Sequence, residues 1–220
     1  DLILRGGTVL DGTGAARFRA DVAITDGFIV RVGDLSKVRA RADIDVRGLM
    51  VAPGFINSLS WATESIIEDA TAESDMRQGV TLEVIGQDGL SLAPADEMVE
   101  AELRSALAGW NGDPDYPRGW RSVADYLARF DAGVPTNIAF LVGHGTIRML
   151  VMGADDRAPT ADELRQMQDL VRQALQEGAF GLSAGLTYAP GMFADEDEMI
   201  ALCSVLRGTG AFYSPHHRNY

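Results

Sequence analysis

The chain has one cysteine (Cys203), one lysine (Lys37) and three histidines in 220 residues. A single cysteine excludes an intrachain disulfide. It sits in the apolar stretch Met199-Ile200-Ala201-Leu202-Cys203, which reads as a small buried hydrophobe rather than a reactive thiol. A reducing cytoplasm is the expected setting. With Lys37 the only lysine, none follows it to serve as a bridging carbamate or a Schiff base. No stretch reaches the ~18 apolar residues of a membrane span, so no membrane partner is expected. No signal peptide is visible, although a chain opening on Asp1 is compatible with a leader having been cut away. Positive charge is short as well. The net charge of −13 leaves no basic face for phosphates and argues against nucleic acid.

What is present suits a soluble globular protein with a core: 46% hydrophobic and 23% charged residues. The three histidines fall in two segments, Gly143-His144-Gly145-Thr146 and Tyr213-Ser214-Pro215-His216-His217-Arg218-Asn219. Each of these segments ends an apolar, strand-like run. Imidazoles and glycines gathered at strand ends suit a metal-dependent hydrolase built on a parallel barrel.

Residues 1–50 read as short strands in a small antiparallel module of the β-sandwich type, with Asp26-Gly27 as a hairpin turn. From residue 51 the pattern changes. The run 49–56 is nearly continuous and apolar, as in a strand buried on both faces. Helical stretches then alternate with apolar strands at 80–85, 136–142, 180–183 and from 211. Thr160-Ala161-Asp162-Glu163 is a capping box opening a helix to Glu177. Residues 112–119 read as a Pro/Gly loop. Alternating strands and helices imply βαβ units and a parallel sheet, giving an α/β chain. Five units over 51–220 fall short of an eight-stranded barrel, which takes about 250 residues. The expectation is the N-terminal part of a TIM-like (β/α)8 barrel, incomplete here. The chain is then a fragment, or the remainder lies on another chain. The alternative is an open five-stranded doubly wound sheet.

These segments resemble a known family. Asp1-Leu2-Ile3-Leu4-Arg5-Gly6-Gly7-Thr8-Val9 is similar to the opening strands of the amidohydrolase superfamily, and Val51-Ala52-Pro53-Gly54-Phe55-Ile56 to the approach to its first barrel strand. Gln78-Gly79-Val80-Thr81, Gly86-Gln87-Asp88-Gly89, Gly143-His144-Gly145-Thr146-Ile147-Arg148, Gly178-Ala179-Phe180-Gly181-Leu182-Ser183 and the histidine segment resemble, together and in this order, its D-aminoacylase (N-acyl-D-amino-acid deacylase) branch.

The resemblance implies a barrel with zinc at the C-terminal mouth of its strands, and hydrolysis of a linear amide by metal-activated water, with an N-acyl amino acid or related small amide as partner. It implies a general-base aspartate on the last strand, beyond residue 220, and a third zinc ligand, a histidine, on the sixth. Two departures stand out. The superfamily's His-x-His is replaced by Leu59 and Trp61, neither of which binds zinc, so one of two metal positions is expected to be lost; Glu64 is the nearby substitute. Where the branch has a cysteine ligand, this chain has Asp88, a carboxylate acceptable to zinc. A plain Asp-Gly turn is the competing reading there.

His216 matches the branch's histidine ligand. Its neighbour His217 must face the other way along a strand. Asp88 and His216 are thus the metal candidates, with a backbone-bonded structural histidine as the alternative for His216. Arg218, Tyr188 and His144 are candidates for lining the substrate. For His144 a structural role stands beside that reading, for Arg218 and Arg148 an ion pair, and for Tyr188 simple packing. Two further readings remain open: a degenerate scaffold or binding subunit, and another cyclic-amide hydrolase on the same fold. The unfinished barrel is expected to need the missing segment or to associate with itself.

Overall fold

A computed structural model describes residues 1–69, 71–111 and 118–219. Most of the loop expected over 112–119, and Tyr220, lie outside the described residues. The chain forms two compact units, Asp1–Gly54 and Phe55–Tyr220.

The first unit holds β1 (Leu2–Val9), β2 (Phe18–Thr25), β3 (Phe28–Gly33), β4 (Ala42–Asp45) and β5 (Met50–Val51). The order is β3-β2-β1-β4, with β5 also on β1. Asp26 and Gly27 both take positive φ, 51° and 79°, the conformation a two-residue hairpin turn demands. The β1–β2 and β2–β3 pairs are antiparallel, whereas β4 and β5 run parallel to β1. Strand alternation carries no sign of that parallel pairing. Ile3, Val9, Val22, Leu35 and Val46 are buried. Arg5 holds the segment after β3, donating to the Leu35 and Val38 carbonyls at 2.7 Å each.

The apolar run 49–56 is not one strand. Met50–Val51 joins β1, and Phe55–Asn57 begins the second unit's sheet. Pro53 has no N–H for a ladder, so the run breaks there.

The second unit contains β6 (Phe55–Asn57), α1 (Ser65–Glu68), α2 (Glu73–Arg77), β7 (Val80–Ile85), α3 (Glu97–Asn111), α4 (Val123–Leu127), β8 (Asn137–Gly143), α5 (His144–Met152), α6 (Ala161–Gln176), β9 (Gly181–Gly185), α7 (Glu196–Ser204) and β10 (Phe212–His216). Its strands are all parallel and lie in the order β10-β9-β8-β7-β6. Each strand neighbours the next in sequence. A doubly wound sheet would reverse order at a switch point. This one does not, so the sheet winds in one direction, as a barrel does, and forms an incomplete half-barrel.

Alternation sorts the strand side chains. Ile85, Phe140, Val142 and Leu182 pack under helices with Val99, Leu103, Met167, Val171 and Leu202. The opposite face, toward the barrel axis, carries the smaller cluster Val84, Ala139 and Leu141. α6 opens with the capping box at Thr160 and Glu163. The Gly143-His144-Gly145-Thr146 segment is a direct strand-to-helix junction, with α5 beginning at His144. The Thr146 hydroxyl donates to the Ser91 carbonyl at 2.8 Å.

Candidate functional site

The turn Gly86-Gln87-Asp88-Gly89 leaves the C-terminal end of β7 and is bonded from several directions. Gln87 donates to the Ser58 carbonyl at 2.6 Å and accepts from the Ser214 hydroxyl at 3.0 Å. The Ser183 hydroxyl donates to the Gly86 carbonyl at 2.5 Å and accepts from the Gly89 amide at 3.0 Å. The Thr146 amide donates to the Gly89 carbonyl at 3.1 Å. Segments after β6, on α5, on β9 and on β10 therefore all hold one short turn.

Close approach explains its glycines. A Cβ on Gly89 would stand 2.6 Å from the Gly185 nitrogen, and one on Gly143 2.4 Å from the Gly89 carbonyl oxygen. Asp88 itself takes φ 57°, a left-handed conformation that aspartate tolerates better than most residues.

β10 delivers the second group. Its register with β9 pairs Ser214 with Ser183 and His216 with Gly185, and β9 in turn pairs Gly181 with Leu141. His216 thus lies on the barrel-axis face, at the strand's C-terminal end. Its Nδ1 is 3.3 Å from Asp88 Oδ1. His217, past the strand, is exposed. The Asp88–His216 pair borders a cavity of about 420 Å³ lined also by Trp61, Leu90, Trp110 and Tyr188. The Tyr188 hydroxyl donates to the Asp88 carbonyl at 2.6 Å, and its ring meets the His216 ring edge-on with centroids 5.9 Å apart.

The donor types suit a cation. Two donors of one tetrahedral zinc, each at ~2.0–2.1 Å, stand about 3.3 Å from each other, the separation found here. Among the described residues, no group of three or more His, Cys, Asp or Glu side chains gathers around a common point. Carboxylate and imidazole therefore fit two positions of a metal site and leave others to be supplied.

The remaining candidates lie elsewhere. His144 is fully buried, with Nε2 2.7 Å from Glu198 Oε1. The structure does not bring it to the cavity wall. Arg148, also fully buried, donates to the other oxygen of Glu198 and to the Asp155 and Arg157 carbonyls at 3.1 and 2.6 Å. Burial pushes the Glu198 carboxyl up, but the His144 and Arg148 hydrogen bonds outweigh it and hold the group below the usual glutamate range. Arg218 donates to the Ala194 carbonyl at 2.5 Å and is not among the cavity's lining residues. Glu64, the substitute ligand, is buried and held by Arg118. Leu59 is exposed, whereas Trp61 joins the cavity wall.

Gln87, Ser183, Ser214 and Glu198 carry more of this architecture than their sequence context suggests. The serines' signal was two small polar residues inside apolar strands. Glu198 looks like an ordinary first-turn acid, since its amide is capped by Asp195 at 2.8 Å.

No family model matches the chain. A D-aminoacylase from Alcaligenes xylosoxydans xylosoxydans is 36% identical over 220 residues, which is all of this chain and 44% of that protein. An N-acyl-D-glutamate deacylase from the same organism is 37% identical, again over all of this chain and 44% of its own length. The chain thus spans less than half the length of the curated relatives it matches. Among solved structures, a D-aminoacylase described as defining a novel subset of amidohydrolases superposes with a TM-score of 0.84 at 37% identity, covering 100% of this chain and 45% of the other. The N-acyl-D-glutamate deacylase of Bordetella bronchiseptica, complexed with zinc and a phosphonate mimic of the tetrahedral intermediate, gives 0.84 at 36% identity, with the same coverage.

Proposed function

We propose, from the premise that this chain belongs to the D-aminoacylase branch of the amidohydrolase superfamily, that it supplies part of the active site of a zinc-dependent hydrolase of linear amides, with N-acyl-D-amino acids as the substrate class. The observation carrying this reading is the 3.3 Å approach of Asp88 Oδ1 and His216 Nδ1 at the C-terminal ends of β7 and β10. That is where barrel enzymes hold their chemistry.

In this reading Asp88 and His216 hold zinc, and the remaining ligands and the general base come from outside the 220 residues. When bound, zinc polarises the amide carbonyl and lowers the pKa of a water molecule. The Gln87, Ser183 and Ser214 hydrogen bonds keep the Asp88 turn fixed before substrate arrives. Tyr188 borders the space a substrate enters and ties that space to Asp88. His144 is committed to Glu198, and Arg218 steadies the Ala194 carbonyl rather than a substrate carboxylate. Exposed Phe55 and Ile56 on β6 and Phe212 on β10 support coverage of the two sheet edges by further chain or by a second copy. A cytoplasmic setting belongs to the same proposal.

Metal analysis tests it. The protein in its full natural length is expected to carry one zinc per chain, and Asp88→Ala to lose it together with amide hydrolysis. Full activity after exhaustive chelation overturns the reading.

One observation favours a second reading, a scaffold without activity: Trp61 occupies a position where the superfamily has a histidine, and its ring is stacked on Trp110. Hydrolysis no faster in the natural protein than in Asp88→Ala favours that reading.

A further inference from the structure

The cavity beside Asp88 and His216 has an apolar side distinct from its chemistry. Trp61 and Trp110 stack there, ring centroids 5.7 Å apart and planes 18° from parallel. Ala106, Leu107 and Trp110 reach the cavity from α3, with Trp110 at the i+4 position from Ala106 and i+3 from Leu107, the spacings that bring helix side chains together. Leu107 is buried beneath, whereas Trp110 stays 69% exposed. An indole is a large apolar surface, and leaving it open to water forgoes most of its transfer energy. A ligand lying against it recovers that energy.

Charge makes the same point. Among the described residues lining the cavity, none is an arginine or a lysine. Arg218, the nearest in sequence to His216, is turned to the Ala194 carbonyl, and Arg148 is committed to Glu198. Asp88, the acidic residue among the described lining residues, is assigned to zinc in the hydrolase reading. The two curated relatives, one named for an acidic substrate, differ by a single per cent in identity to this chain, so overall likeness does not discriminate between substrate types. The cavity wall does.

We propose that Trp61 and Trp110 form a specificity wall that accepts an uncharged aromatic or branched aliphatic group flanking the scissile amide. The inference rests on the hydrolase reading above for the identity of the substrate, but not for the binding itself.

The experiment uses the protein in its full natural length. Hydrolysis is compared for N-acetyl-D-phenylalanine, N-acetyl-D-leucine and N-acetyl-D-glutamate. A second arm keeps glycine constant and changes the acyl group from acetyl to phenylacetyl, which separates a side-chain pocket from an acyl pocket. Indole fluorescence is titrated with the same compounds. The expected result is a preference for the apolar member of at least one arm, with saturable quenching by that compound. Trp110→Ala should raise its KM on the order of tenfold, change kcat far less and abolish the quenching. Trp110→Phe should recover part of the binding. Trp110 is exposed, so its replacement leaves the fold in place; Trp61→Ala is the companion variant. Hydrolysis that favours the glutamate compound, with the same ranking in Trp110→Ala, overturns the inference and leaves the hydrolase reading standing. Tryptophan-dependent binding of the apolar compounds without hydrolysis of any amide sustains the inference and overturns the hydrolase reading.

Discussion

The Tyr188 hydroxyl donates to the backbone carbonyl of Asp88 at 2.6 Å, across 100 residues of sequence. It ties the loop after β9 to the turn after β7. A Cβ on Gly185 would stand 2.2 Å from that hydroxyl, so the contact exists only because the strand end beneath it is a glycine. Asp88 is thereby gripped through its backbone while its carboxylate stays directed at His216.

Tyr188→Phe removes this donor and keeps the ring. A net cost of about 1 kcal/mol is expected for one hydrogen bond, read as a lower urea midpoint with an unchanged slope. Zinc retention should fall less than in Asp88→Ala, because the carboxylate remains. Loss of zinc equal to that of Asp88→Ala would show that Tyr188 does more than brace the turn.

Glu198 lies fully buried between His144 and Arg148. Glu198→Ala strands the Arg148 guanidinium without its counter-charge, and about 3–5 kcal/mol of stability should be lost. Replacing both members, Glu198→Leu with Arg148→Met, should recover part of that loss, since no buried charge is left alone. Equilibrium unfolding of the single and double variants checks this. A double variant less stable than the single would contradict it.

The same carboxylate sets an acid limit. Its folded value is held below the ordinary 4.5, so the unfolded chain takes up the proton first as pH falls. Its contribution is therefore complete above about pH 4.5 and is lost as pH drops through the folded value. The urea midpoint of the natural protein should fall between pH 6 and pH 3.5. Glu198→Gln, less stable at pH 6, should show a shallower fall over that range. Parallel curves for the two proteins would place the acid sensitivity elsewhere.

Gly143→Ala would drive a methyl group to 2.4 Å from the Gly89 carbonyl oxygen and 2.6 Å from the Ser91 nitrogen. Both are backbone atoms, so the Asp88 turn must move. A loss of about 1–3 kcal/mol is expected from overpacking, together with weaker zinc retention. Gly109→Ala is the control: it lies within α3 with nothing within 4 Å of the new methyl, and should stabilise by roughly 0.5–1 kcal/mol through helix propensity. Thermal melts of the two variants should move in opposite directions.

Much of the architecture was legible before any coordinates. Strand-length apolar runs alternating with a capped amphipathic helix announced the parallel sheet. The ordered motifs from Gly86-Gln87-Asp88-Gly89 to Tyr213-Ser214-Pro215-His216 announced the family. Legibility failed where one signal served two environments. Gly143-His144-Gly145-Thr146 has the composition of a turn, yet its glycines answer to close packing against the Gly89 carbonyl and its histidine to a glutamate 54 residues away. The run through Pro53 looked like one strand because hydropathy does not register a missing N–H.

By itself, then, the sequence determined the periodicities, the turns and the residue types at the strand ends, since these depend on neighbours a few positions apart. Only the tertiary structure decided that Asp88 and His216 stand 3.3 Å apart, that His144 and Arg148 share a buried carboxylate, and that Trp61 stacks on Trp110 at the cavity wall. Those distances follow from the register between parallel strands and from the packing of helices and loops upon them. Register is settled by the packing of whole faces, so no local stretch of sequence encodes it.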